Sequence, residues 1–144
     1  MSIVLAVAVA GLGGGCVAPA RTDASYRDKA ADTADAVVSA ARTALLAARA
    51  GTAEDSLAAT VSVGIADAEG DAEAARDAFA SIQPPDRASD EIRRSLLPTV
   101  ERAVAIIQMM RIAARRTEGS RLQQLAAPLG AVAARLEGFA TRLG

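Results

Sequence analysis

The chain has no histidine and no tryptophan, one tyrosine, two phenylalanines and a single cysteine. Without histidine there is no imidazole to serve as a general base or a metal ligand, and the usual nucleophile–base pairs have no base. One thiol cannot close an internal disulfide. Aromatics are too few to interleave with cations along a nucleic-acid strand, and a net charge of −1 supplies no field for phosphate backbones. No G-x-S-x-G turn, phosphate-cradling glycine loop or metal-ligand spacing is present. The chain is therefore expected to be no enzyme, and to take no metal, no cofactor and no nucleic acid.

What the chain does have is alanine, at 37 of its 144 positions. Alanine is the strongest helix former, and strand-favouring aromatic and β-branched residues are sparse. The length suits one domain with one modest core, so the expected class is all-α. The cations are fifteen arginines and Lys29, unevenly distributed. Residues 21–83 carry 6 basic and 11 acidic side chains, whereas residues 84–144 carry 10 and 6. An acidic helical hairpin packed against a basic one follows.

Residues 1–20, "MSIVLAVAVAGLGGGCVAPA", bear no charged side chain. The strongly apolar part, Ile3 to Leu12, is about half of the ~20 residues a spanning helix needs. Gly11, Gly13, Gly14 and Gly15 follow, each costing a helix about 1 kcal/mol relative to alanine. An apolar run of this length closed by small residues reads as a secretory signal peptide. Two processing sites fit it. "LGGGC" resembles the lipobox of bacterial lipoproteins, where small residues (here Gly13, Gly14 and Gly15) precede a cysteine that is lipidated and becomes the mature N-terminus, here Cys16. Leu12 stands one step further from that cysteine than the lipobox leucine does. Alternatively, Ala18-Pro19-Ala20 is an A-x-A site, and a freely secreted chain begins at Arg21. The first reading divides the chain into a signal peptide (1–15), a short polar linker (16–23) and a helical body (24–144).

Stop and start signals divide the body into helices near 24–50, 53–83, 87–117 and 120–143. Gly51 closes the first, and Thr52 with Asp55 opens the second. Pro84 and Pro85 end the second, and Asp86 or Ser89 caps the third. Gly119 is the next stop, with Ser120 and Gln123 forming a capping box for the fourth. Apolar residues recur in alternating steps of three and four. The seams are Tyr26, Ala30, Thr33, Val37, Ala41, Ala44 and Ala48; Leu57, Val61, Ile65, Ala68, Ala72, Ala75, Phe79 and Ile82; Ile92, Leu96, Val100, Ala103, Ile107, Met110 and Ala114; and Leu122, Leu125, Leu129, Val132, Leu136, Phe139 and Leu143. One seam per helix and short connections specify an up-down-up-down four-helix bundle. The alanine-rich seam of the first helix either lets backbones approach closely or waits for a partner helix.

Gly64 and Gly70 weaken the second helix, and Tyr26 is expected to pack at a helix end. Pro98 and Pro128 fall inside the third and fourth helices, where each removes a donor and kinks the chain. Kinked neighbours can open a cavity, so these prolines mark a candidate pocket for a small apolar ligand. Asp67 with Asp71, and Glu69 with Glu73 and Asp77, form i,i+4 acidic stripes. Such stripes rarely converge on a cation and read as a solvated face partly neutralised by arginines of the third helix. Arg93-Arg94 and Arg115-Arg116 could meet anionic headgroups, although the latter pair already complements a helix C-terminus.

The GGGC motif, the polar linker "VAPARTDAS" and the alanine- and arginine-rich helical body together resemble small lipoproteins of high-GC Gram-positive bacteria. The resemblance implies an acylated Cys16 and a bundle held on the extracytoplasmic face of the cell membrane. Its expected partners are the membrane, through the lipid anchor, and an envelope protein. It names no reaction. A carrier or sensor with an internal apolar ligand, or a secreted bundle cut after Ala20, are the alternatives.

Overall fold

The computed structural model describes residues 20, 22–50 and 58–144, and for Ala58 the backbone alone. These residues form four α-helices: α1 (Asp23–Ala50), α2 (Ala58–Ala80), α3 (Arg87–Arg115) and α4 (Gly119–Leu143). No strand occurs among them. The expected Gly51 stop and the Thr52–Asp55 start lie outside the described residues.

Each end that is described has a local chemical cause. Thr22 opens α1, its Oγ1 accepting the Ser25 N–H at 3.2 Å, and Asp23 adds a negative charge at the positive end of the helix dipole. Helix α2 stops at Ala80, three residues before its expected end at 83. Ile82 nevertheless stays buried, because Ser81 and Ile82 continue as a turn bonded to Asp77 and Phe79. Of the two candidate caps for α3, Asp86 is the one used: its Oδ1 accepts the Ser89 N–H at 2.8 Å.

The α3–α4 connection corrects the expected Gly119 stop and Ser120–Gln123 capping box. Helix α3 ends in a Schellman turn, with Glu118 N–H bonded to Ala113 and Thr117 N–H to Ala114. Thr117 takes the left-handed position at φ 56°, where glycine is the usual occupant. That shift lets Gly119 and Ser120 enter the first turn of α4. Glu118 becomes its N-cap and makes no side-chain capping bond.

The seams are buried. All seven positions proposed for α1 are inaccessible or nearly so, including Thr33, whose hydroxyl donates to the Lys29 carbonyl at 2.7 Å. Ala75, Ile92, Phe139 and Leu143 lie at the margins and are partly exposed, and Leu57 is outside the described residues. Helix α1 packs against all three other helices, while α2 and α4 share no contact among the described residues. The bundle is thus a four-helix arrangement with one short diagonal, α1 to α3. Ala30, Ala34, Ala41 and Ala44 on α1 are fully buried, and their small side chains permit this approach. Gly64 on α2 permits a close approach of α2 to α1, because a Cβ there would sit 3.3 Å from the Ala47 Cβ. The alanine face of α1 is consumed inside the bundle and is not left open for a partner helix.

Candidate functional site

Three places gather polar side chains. The first lies where the start of α1 meets the start of α3. Ser89 is fully buried, and its Oγ donates to Asp23 Oδ1 at 3.2 Å. Asp23 also pairs with Arg27 at 3.0 Å. The backbone bond from Ser89 holds the Asp86 carboxyl below the usual carboxylate range. Arg93 reaches across to α2 and donates to the carbonyls of Ala80 and Ile82 at 2.6 and 2.7 Å, closing the end of that helix. Tyr26 packs at this end as expected, its ring 5.3 Å from that of Phe79 and tilted by 50°. Its hydroxyl is buried without a hydrogen-bond partner. Burial raises the tyrosine pKa, and the nearby Arg93 opposes that rise. The phenol stays protonated and no base adjoins it, so the cluster ties helix ends together.

The second place is the α2–α3 interface. Glu69 is buried and takes a two-pronged bond from Arg111, through Nε and through Nη2, the latter at 3.3 Å. Through that hydrogen bond the carboxylate raises the Arg111 pKa further. Glu69 thereby leaves the solvated stripe to which its spacing assigned it. Asp77 pairs with Arg76 at 2.9 Å, and Asp67 and Asp71 remain exposed. Among the described residues no group of three or more acidic, histidine or cysteine side chains is placed to hold a metal ion. Of the basic clusters, Arg93 is occupied by α2 and Arg94 pairs with Asp90 at 3.2 Å. Arg115 sits in the last turn of α3, and Arg116 lies 4.0 Å from Glu118. Two ion pairs among the described residues cross from the α1–α2 half to the α3–α4 half. They run in opposite senses, Glu69 with Arg111 and Arg42 with Glu137, so the charge imbalance of the halves is not neutralised pair by pair.

The third place is a cleft of about 500 Å³ between α3 and α4. Ser95 and Thr99 stand on one wall, Arg135, Gly138 and Arg142 on the other, with Leu96, Leu136 and Phe139 as its apolar lining. The Arg142 guanidinium carbon is 5.7 Å from the Phe139 ring centre, a cation–π contact. Sequence reasoning counted Phe139 as core and passed over Arg135, Gly138 and Arg142. The available signal was two arginines seven residues apart, flanking a glycine–phenylalanine step on one side of a helix.

Neither Pro98 nor Pro128 lines this cleft. Both lie inside uninterrupted helices. Pro98 is two positions from both Leu96 and Val100 and so faces away from the seam. Its ring is exposed, and the Arg94 carbonyl it leaves unbonded within the helix faces the same side, so no internal cavity is required. Pro128 is half-buried.

Cys16, Gly13, Gly14, Gly15 and Ala18 lie outside the described residues. Ala20 is described, and it is 8% exposed and part of the hydrophobic core. Among the described residues no helix is long and apolar enough to cross a membrane. Comparison of the chain with protein-family models, with curated proteins and with solved structures found no match.

Proposed function

We propose that this chain is a lipoprotein whose acylated Cys16 tethers a four-helix bundle to the extracytoplasmic face of the cell membrane, where it acts as a non-catalytic interaction module. The observation that carries the reading is Ala20. Its side chain is buried in the core, and Thr22, two residues on, caps α1. A cut after Ala20 would remove a core residue and put the new terminus one residue before the cap at Thr22. A chain beginning at Cys16 keeps both the buried alanine and the cap. Acylation follows anchoring arithmetic in which each buried CH₂ contributes about 0.8 kcal/mol and two or more chains hold stably.

The chain runs up-down-up-down. The start of α3 meets the start of α1 through Ser89 and Asp23, and Arg93 meets the end of α2. Leu45 and Arg49 near the end of α1 lie beside Leu122 and Ala126 near the start of α4. With this topology, a tether at Cys16 would enter the bundle at the end holding Asp23. Leu46, Val63, Met109 and Ile112, all exposed, belong to the opposite half, where an envelope partner would meet apolar side chains clear of the bilayer.

Labelling cells with a radioactive fatty acid tests the tether. The wild-type chain is expected to carry label and to sediment with membranes, and Cys16→Ala to lose both. A labelled Cys16→Ala chain, or an unlabelled soluble wild type, contradicts the proposal.

A further inference from the structure

We infer that the cleft between α3 and α4 binds the phosphate headgroup of an anionic amphiphile, its arginines holding the oxyanion and its apolar lining receiving the first carbons of the chain. Arg135 and Arg142 are two turns apart on one side of α4. Neither has a carboxylate partner among the described residues, whereas neighbouring Arg42, Arg87 and Arg94 each have one. An arginine that is already paired offers little to a ligand; these two present free guanidinium forks, the geometry best matched to phosphate. Arg142 is steadied over the Phe139 ring. On the facing wall Thr99 keeps a hydroxyl with no hydrogen bond to other described residues, free to donate, while the Ser95 hydroxyl is committed to the Glu91 carbonyl.

The apolar half is as specific. Leu96 and Leu136 are fully buried beneath the cleft, and Phe139 is partly exposed along it. Gly138 lines it without a side chain, and a Cβ built there would be in ordinary contact with the Arg142 guanidinium, at 3.5 Å. A volume of about 500 Å³ is far more than one phosphate fills and lies in the range of sites for small organic ligands.

A lipid, not a free phosphate ester, is the expected source, and this choice rests on the proposed tether. The cleft runs from Arg142, near the end of α4, and Ser95, in the first third of α3, to Thr99 and Arg135 nearer mid-bundle, so it opens in the half of the bundle that holds Asp23. The seven residues from Cys16 to Asp23 span at most about 25 Å when extended. The cleft is thus held within a short reach of headgroups.

The test is calorimetric titration of the full chain with dihexanoyl-phosphatidylglycerol kept monomeric, with dihexanoyl-phosphatidylcholine and inorganic phosphate as separate probes. Saturable binding of the anionic lipid is expected, and weaker by at least about 10-fold in Arg135→Gln/Arg142→Gln. Gly138→Leu, which fills the cleft and keeps both charges, should lose binding likewise. Arg116→Gln, at the far end of α3, should not change it. Circular dichroism melts establish that each variant is folded. Equal binding of the zwitterionic lipid overturns the charge recognition, and equally tight inorganic phosphate reassigns the cleft to a free anion. Absent binding, or binding unchanged in both cleft variants, overturns the inference altogether. Because the probes are soluble, a positive titration beside an unacylated Cys16 would defeat the tether and leave the cleft standing.

Discussion

Helices α1 and α2 line their half of the core mainly with alanine, around the few large side chains Tyr26, Val37, Ile65 and Phe79; α3 and α4 line theirs mainly with leucine, isoleucine, valine and methionine. Ala30, Ala41, Ala44, Ala68 and Ala72 are fully buried on one side, and Leu96, Ile107, Met110, Leu129 and Leu136 on the other. The same spacing therefore does two different physical jobs. Large side chains contribute buried area, at about 25 cal/mol per Å². Alanines contribute proximity, drawing α1 across the diagonal onto α3 and leaving α2 and α4 out of contact.

If that division is right, the two halves should respond to opposite changes in volume. Leu136→Ala should lower the unfolding free energy by about 3 kcal/mol in a urea titration, from lost area plus the cavity left behind. Ala44→Leu should cost about 2 kcal/mol by overfilling the short diagonal. A leucine tolerated at position 44 would show that the α1 seam has room to spare. At the boundary between the halves, Arg111→Ala leaves the buried Glu69 carboxylate unpaired. Because Arg111 is itself a quarter exposed, the expected loss is about 2 kcal/mol, less than for a fully enclosed pair.

Two smaller changes should stabilise, one in each half. Tyr26→Phe removes a buried hydroxyl that has no partner, for a gain of about 1 kcal/mol. Burial raises the folded-state pKa of Tyr26, so its contribution is full below the unfolded value and lost as pH climbs past about 10. Denaturation midpoints measured against pH should fall less steeply there in the phenylalanine variant. Thr117→Gly relieves a β-branched residue at positive φ and should raise stability by about 1 kcal/mol in the same titration.

Periodicity made the seams legible because alternating steps of three and four leave one apolar face per helix, and nearly every residue so assigned is buried. Asp86 was legible because it directly precedes a helical run after two prolines. Other features depend on what a neighbouring helix presents. Neutralisation of the acidic stripe by an arginine of α3 was legible, and Arg111 supplies it, but the burial of Glu69 shows only once α3 packs against α2. The α3 stop was misplaced because a threonine, not the nearby glycine, takes the left-handed position. Arg135 and Arg142 form a site only because Ser95 and Thr99 face them from another helix. At Pro98 the missing donor falls on the outer surface of α3.

The most direct measurement is the intact mass of the protein recovered from its native host, beside a Cys16→Ala variant. A mature chain that begins at Cys16 with added acyl mass, retaining Ala20 in its core, is the predicted result. An unmodified chain beginning at Arg21, or one still carrying Met1, would contradict it.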